Sequence, residues 1–243
     1  GSFLVGAVLL FFVAFLLSRW LFRGSLAQAS IAALDSVYGN TVMLGIPVVD
    51  AIYGPPGVAN LLAIIAFHSA VLLPLATRLL EADSGAGRSP WQVLRASLVG
   101  MLRNPIVLSI LLAFLWRATG LGLAAPLDRL LLLLGQAGPP LALFCLGATL
   151  PRPRGLTGLG EVVLCSALKL VALPALVGLL AHLAGVTGVA FDVVVLAAAM
   201  PTGANAFLLA RRFETMMEAS ATTVVVSTAL SVVSLTVLLA WLG

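Results

Sequence analysis

Charge is what this sequence has least of. Asp, Glu, Lys and Arg make up 9% of its 243 residues, against about 25% in an ordinary soluble domain, which excludes a water-soluble globular protein of this length. Lysine occurs once, at Lys169, and histidine twice. There is no HExxH, no Walker loop and no GxGxxG, and no His/Cys/carboxylate cluster at metal-ligand spacing. No metal and no cofactor is therefore expected, and no nucleophile–base pair argues for an enzyme. The two cysteines, Cys145 and Cys165, both fall inside apolar segments; they read as small buried hydrophobes, with no disulfide. The net charge of +4 does not point to nucleic acid, because the arginines are scattered in ones and twos between apolar runs, where they report membrane orientation.

What is present is apolar. Hydrophobic residues make up 61% of the chain and the mean hydropathy is +1.17, so the bilayer is its solvent. About 20 apolar residues cross the hydrocarbon as a helix. By that measure eight spans are expected, at 3–22, 27–54, 58–80, 91–116, 124–150, 158–183, 187–212 and 219–242. The fold class is an all-α membrane protein. Turn chemistry separates the spans at "YGPPG" (53–57), "EADSGAGRSP" (81–90) and "PRPRG" (151–155). If the first span runs from outside to inside, Arg19, Arg23, Arg78, Arg88, Arg95, Arg103, Arg152, Arg154, Arg211 and Arg212 face the cytoplasm. Only Arg117 and Arg129 then face outward. This bias supports the span count and places both termini outside. The chain starts without Met and enters an apolar run at Phe3, which reads as a chain cut just before a transmembrane helix rather than as a cleavable signal.

Two spans interrupt themselves. The first carries Asn40, Thr41, Gly45 and Pro47 in its middle, the second Pro201, Thr202, Gly203 and Asn205. A lone proline is usually only a kink, as at Pro74, Pro105 and Pro174. A cluster of this kind is different. Proline fits the first position of a new half-helix, glycine admits a close neighbour, and Asn and Thr supply hydrogen bonds where water is absent. Unpaired backbone facing lipid costs several kcal/mol per group, so such breaks survive only when buried in protein or lining a wet cavity. Spans 3–22, 27–54 and 58–80 read plain, broken, plain, as do 158–183, 187–212 and 219–242, and the second trio starts from the opposite side. The pattern predicts inverted repeats whose breaks meet near the midplane, with half-helix N-termini aimed at an anion, most simply a carboxylate. The structural alternative is that Asn40 and Asn205 only satisfy the backbone of their own breaks.

Three further residues carry charge or titrate inside spans. Lys169 lies near the middle of 158–183 and is a functional candidate by default; it can neutralise a carboxylate substrate or pair with Asp35 or Glu161, or serve as a structural or snorkelling side chain. Asp35, five residues before Asn40, is a candidate for a coupling proton or cation such as sodium, or a buried packing group. His68 can carry a proton or make one interhelical hydrogen bond. Asp50 and Asp192 are placed near outer, solvated ends.

"GNTVMLGIPVV" at 39–49 together with "AAAMPTGANAFLLA" at 197–210 resembles the auxin efflux carrier family, and "RNPIVLSILLAFLW" at 103–116 is similar to the segment opening that family's second half. The resemblance covers essentially the whole chain. It implies an inverted-repeat transporter fold of ten helices, the fourth and ninth broken and crossing at the substrate site. Eight spans are present of an expected ten, the first two lacking. It divides the chain into a transport-domain half at 1–82, scaffold-type helices at 83–155 and a second transport-domain half at 156–243. It further implies secondary transport of small organic anions such as auxin or malonate, and a homodimer through the scaffold. Arginine's predominance over lysine and the lack of a long cytoplasmic loop favour a bacterial member in the inner membrane. The competing readings are an anion channel, for which no ring-forming charged motif is visible, and an intramembrane receptor or enzyme built on Lys169.

Overall fold

The computed structural model of the protein describes residues 1–83, 91, 92, 95, 99, 105–149 and 158–242, and these are almost all helical. Helix α1, Ser2–Phe22, has 21 residues and a length of about 31 Å, a match to the hydrocarbon thickness. Phe3, Ala7, Leu10, Phe11, Ala14 and Ser18 recur at helical spacing and are buried. The opposite face carries Val5, Leu9, Phe12, Val13 and Leu16, all exposed. A helix apolar on both faces suits lipid on one side and protein on the other. It stops at Arg23, in the left-handed region at φ 53. Ser25 then opens α2, Leu26–Val37, with a capping box: its hydroxyl accepts from the Gln28 N–H while the Gln28 side chain accepts from the Ser25 N–H.

Helix α2 is 12 residues long, about 18 Å, little more than half the hydrocarbon. Every residue from Ala29 to Val37 is buried. After Tyr38–Asn40 the chain makes a π-turn over Thr41–Gly45 and continues as α3, Ile46–Asp83. Within α3, Gly54 has φ 59 and ψ −156, a conformation favouring glycine. Pro55 and Pro56 follow, at the start of the next helical stretch, where a missing N–H costs little. The turn expected over 53–57 is thus one glycine wide. The helix beyond it runs to Asp83, past the expected end at 80.

Helices α4, Pro105–Ala118, and α5, Ala125–Thr149, follow. The second half opens with α6, Leu159–Ala167, which passes through a π-turn at Leu168–Ala172 into α7, Leu173–Leu183. Next come α8, Val189–Ala199, then α9, Ala204–Arg212, and α10, Met217–Leu242. Helix α8 repeats the character of α2: 11 residues, with Val193–Ala199 all buried. Among the described residues, four helical stretches are long and apolar enough to cross a membrane: Ser2–Phe22, Thr41–Asp83, which turns at Gly54, Leu159–Leu183 and Met217–Leu242. Most of the expected turns at 81–90 and 151–155, and much of the expected span 91–116, lie outside the described residues, as do Arg88, Arg103, Arg152 and Arg154.

The two short helices form the centre. Leu34, Val37, Val195, Ala197 and Ala198 share one buried cluster with Phe11 of α1, Leu61 and Leu72 of α3, and Leu173 and Val177 of α7. Lipid offers apolar side chains no reason to prefer protein, so close packing rather than water exclusion must hold such helices together. The small buried side chains of Ala29, Ala32 and Ala33 on α2 and of Ala197–Ala199 on α8 permit close approach of the helices packed on each.

Candidate functional site

The chain breaks α2 at Tyr38–Asn40 and ends α8 at Met200–Gly203, and these two segments touch. Gly39 and Thr202 form an isolated antiparallel β-bridge. The Asn40 N–H donates to the Pro201 carbonyl at 2.7 Å, and the Gly203 N–H donates to the Tyr38 carbonyl at 2.8 Å. The bonds are reciprocal: each break satisfies the backbone that the other has freed. Two interrupted helices deep in lipid need such a partner, since neither could carry bare peptide groups there.

The remaining freed groups are satisfied from several elements. The Thr202 hydroxyl donates to the Asp35 carbonyl, near the end of α2, at 2.8 Å, and the Thr202 N–H donates to Ser227 Oγ on α10 at 3.1 Å. Lys169, fully buried, reaches from the π-turn between α6 and α7 and donates from Nζ to the Ala198 carbonyl in the last turn of α8 at 2.5 Å. A donor there satisfies one of the carbonyls that a helix C-terminus leaves without an intrahelical partner. Of the partners expected for Lys169, neither Asp35 nor Glu161 takes that place; a backbone carbonyl does, because the π-turn directs the side chain at the end of α8.

The two asparagines divide the roles expected of them. Asn40 is 7% exposed and its Oδ1 accepts from the Met43 N–H at 3.3 Å, so it caps its own break. Asn205 is exposed and donates from Nδ2 to the Tyr38 hydroxyl at 3.0 Å, across to the other break. Thr41 is buried with a hydroxyl that has no hydrogen-bond partner. An unsatisfied buried hydroxyl costs about 1–3 kcal/mol, so the Thr41 hydroxyl is a donor left without a partner at the break. Gly45, Pro47, Pro201 and Gly203 are buried at the crossing or on the half-helices that leave it. Beyond the breaks, the first N–H groups of α9 and of the turn at Thr41 lie at half-helix N-termini, which have no intrahelical acceptors.

Asp35 is fully buried; its Oδ1 accepts from the Ser220 hydroxyl of α10 at 2.8 Å and its Oδ2 has no partner. His68 is buried beside the crossing but makes no interhelical hydrogen bond of the kind expected. Its Nδ1 lies 3.1 Å from the Ile64 carbonyl of its own helix, its Nε2 is unpartnered, and its ring lies 4.8 Å from the Tyr38 ring and edge-on to Phe3 at 5.8 Å. Asp50 is exposed as expected, whereas Asp192 is half-buried and hydrogen-bonded to the Tyr53 side chain. Cys165 is buried as expected and donates to the Ala32 carbonyl at 3.4 Å, whereas Cys145, expected to be buried, is exposed.

Sequence reasoning missed Tyr38, Ser69, Ser220 and Ser227. Tyr38 joins the site through its hydroxyl, 3.0 Å from Ser69 Oγ on α3 as well as from Asn205. A signal existed: Tyr38 is one of only two tyrosines and directly precedes the Gly39–Asn40 pair. The serines also had one, since Ser220, Thr223, Ser227 and Ser231 recur every three or four residues in an otherwise apolar span and all four are buried. That spacing places hydroxyls on one inward helix face. An apolar groove between α7, α8 and α10 is lined by side chains such as Pro174, Phe191, Val195 and Trp241, with His182 and Ser234 its polar members. It includes none of the crossing residues, and its chemistry does not suit a carboxylate.

Arg211 and Arg212, in the last turn of α9, are exposed. Cysteine placed at either position is expected to react with an impermeant maleimide only from the cytoplasmic side of sealed vesicles. Labelling from the outside would reverse the orientation drawn from the arginine distribution.

A model of the membrane transport protein family matches residues 1–239. A protein of Rhizobium meliloti (strain 1021) named "Putative malonate transporter" is 28% identical over 237 residues, covering 94% of this chain and 72% of that protein. "Uncharacterized transporter YfdV" of Escherichia coli (strain K12) is 29% identical over 197 residues, covering 79% of this chain; the chain spans 61% of the length of that relative. The YfdV protein of Shigella flexneri matches to the same extent. With a family match over nearly its whole length and a fold of apolar helices, the chain belongs to the membrane transport protein family, the auxin efflux carrier family that its paired motifs resemble.

Proposed function

We propose that this chain forms the substrate-handling part of a secondary transporter that moves small organic anions, malonate-like carboxylates in particular, through a bacterial inner membrane by alternating access. The observation that carries the reading is the reciprocal pair of hydrogen bonds between Tyr38–Asn40 and Pro201–Gly203. Broken helices of this kind place substrate between half-helix ends near the midplane. An anion there meets the N-terminal ends of the turn at Thr41 and of α9, where backbone N–H groups and the positive dipole end favour negative charge. Thr41 and Asn205 supply side-chain donors, and Asn40 orients the turn. Gly45, Pro47, Pro201, Thr202 and Gly203 shape the crossing.

An inverted repeat accounts for the order of elements. In this reading α1, then α2 with the chain as far as Gly54, then the rest of α3 correspond to α6–α7, α8–α9 and α10, with a pseudo-two-fold axis passing between Gly39 and Thr202. Lys169 is the residue placed to neutralise the substrate's charge, and Asp35 and His68 are the buried groups able to exchange a proton during the cycle. Residues 83–155 form the scaffold side, through which two copies associate. The relative named as a malonate transporter supports the choice of a short dicarboxylate over a bulkier acid.

The test is equilibrium binding to the purified full-length protein. Acetate, malonate, succinate and an aromatic acetic acid are compared with their neutral amides. Carboxylates are expected to bind, and the amides not. Failure of every carboxylate to bind, or equal affinity for acid and amide, rejects an anion site at the crossing.

A further inference from the structure

The amide of Asn205, in the first turn of α9, is held one way round. Its Nδ2 donates to the Tyr38 hydroxyl at 3.0 Å, and that hydroxyl lies 3.0 Å from Ser69 Oγ on α3. An amide nitrogen only donates, so the Tyr38 oxygen accepts from it and the single hydroxyl proton is left for Ser69. The direction of this network decides which end of the amide is nitrogen. Oδ1 and the second Nδ2 proton then form the other edge of a side chain that is exposed. One acceptor and one donor side by side do not match an ionised carboxylate, which only accepts. They match a protonated carboxyl, whose O–H donates to Oδ1 while its C=O accepts from Nδ2.

The charge at the crossing points the same way. Neither break, 38–47 or 200–205, contains Lys or Arg. The half-helix N-termini at Thr41 and at α9 are worth about half a unit of positive charge each, which balances one negative charge on a guest. Even with Lys169 charged, the C-terminal ends of α2 and α8, about half a unit of negative charge each, cancel it. A second negative charge would stand uncompensated away from water, where an acid takes up a proton instead. The first is provided for: the Thr41 hydroxyl, beside the N–H groups of its turn, is buried and has no partner.

We infer that the crossing binds a short dicarboxylic acid in its singly charged, half-protonated form: the ionised carboxylate lies at the two half-helix ends, and the protonated carboxyl pairs with the amide edge of Asn205. This rests on the carrier reading above for the place of the anion, and adds the form of the substrate and the route of a proton. For malonate, the dianion takes one proton from water on one side, crosses as the monoanion, and returns that proton to water on the other. One proton and one negative charge move with each substrate, and no side chain of the protein has to gain or lose the proton. Tyr38 and Ser69 are positioning residues, which hold the amide this way round.

The titratable groups on the elements around Asn205 are Asp35 on α2, Tyr38 at the first break, His68 on α3, Lys169 at the π-turn, Glu218 on α10, and Arg211 and Arg212 on α9 itself. A change of charge on any of them alters the binding of every anion at the crossing alike. A proton carried by the substrate alters only the binding of a substrate that can carry one.

The experiment measures binding of malonate, its half amide malonamate and its half ester monomethyl malonate to the purified full-length protein by titration calorimetry, from about pH 5 to about pH 8. Each keeps one carboxylate; they differ only at the second carboxyl position. Malonamate holds an N–H donor and a carbonyl there at every pH, whereas the half ester holds acceptors alone. Malonate is expected to weaken by about tenfold per pH unit once its dianion predominates. Malonamate is expected to keep one affinity within about twofold across the range, with the half ester at least about tenfold weaker than malonamate. In Asn205→Ala the gap between half amide and half ester is expected to close to within about twofold, a change that loosened folding alone does not produce. Malonate affinity that stays level with pH, or a half ester that binds the unaltered protein as tightly as the half amide, overturns the proposal and leaves the anion site standing. Parallel pH slopes for malonate and malonamate also overturn it, and assign the proton to a side chain of the protein. Binding of none of the three at any pH rejects the anion site of the carrier reading, and this proposal with it.

Discussion

Gly203→Val is expected to reduce uptake to below about 1% of normal and to lower the unfolding midpoint by several degrees, the largest effect of any single change at the crossing. Backbone conformation is not the cause, because Gly203 has φ −80 and ψ 143, open to any residue. The cause is space. A Cβ at this position would stand 3.0 Å from the Gly39 carbonyl oxygen, 3.0 Å from Tyr38 Cδ1 and 3.2 Å from the Gly39 carbonyl carbon. Two of these atoms are backbone of the opposite break, which cannot swing aside as a side chain would. Overpacking of a close-fitted site typically costs about 1–3 kcal/mol. Parting the segments also strains two hydrogen bonds worth about 0.5–1.5 kcal/mol each, in surroundings where water cannot replace them. Gly203→Ala is expected to show the same loss in milder form. Uptake by proteoliposomes and the elution profile of the purified variants check both. Normal uptake by Gly203→Val would mean that the two breaks are not in contact in the working protein.

The second large effect is expected at Asn205. Asn205→Ala removes an exposed amide that donates to the Tyr38 hydroxyl, so the fold should survive with little change in midpoint. Carboxylate binding should not. A hydrogen bond to a charged group is worth about 1.5–3 kcal/mol, which corresponds to a loss of affinity of about 10- to 100-fold. Tyr38→Phe keeps the ring against His68 and deletes the hydroxyl shared with Asn205 and Ser69. Its effect is expected to be smaller, about tenfold or less, because it acts by loosening Asn205 rather than by removing a donor. If the two residues work in series, the double variant binds no worse than Asn205→Ala alone. Titration calorimetry with malonate measures all three. Unchanged affinity in Asn205→Ala would remove that side chain from the anion site.

The expected and observed features part at instructive places. The breaks were legible because Asn40, Thr41, Pro201, Thr202 and Gly203 are residue types that a continuous lipid-facing helix avoids, and lipid allows few reasons for them. The capping box at Ser25–Gln28 was present in the sequence but went unread amid the apolar run. Tyr38 was overlooked because an aromatic residue in an apolar span reads first as bulk; its hydroxyl matters only once Asn205 and Ser69 arrive from 167 and 31 residues away. The partners offered for Lys169 were carboxylates, since charge is what a sequence displays. The partner it has is a backbone carbonyl, which every residue carries and no sequence can single out.

By itself the sequence determined that the protein lives in a bilayer, that it is helical, and that two of its helices are interrupted midway by groups needing partners. These follow from local quantities: hydropathy over a window, and the hydrogen bonds a residue type can or cannot make. Only the tertiary structure decided that the breaks join through Gly39 and Thr202, that Asn205 reaches across while Asn40 caps at home, and that the Lys169 side chain closes the end of α8. Those pairings join residues far apart in the chain, and many arrangements of apolar helices are nearly equal in lipid. The few buried polar groups select among them, because each left unpaired costs more than any exchange of one apolar contact for another.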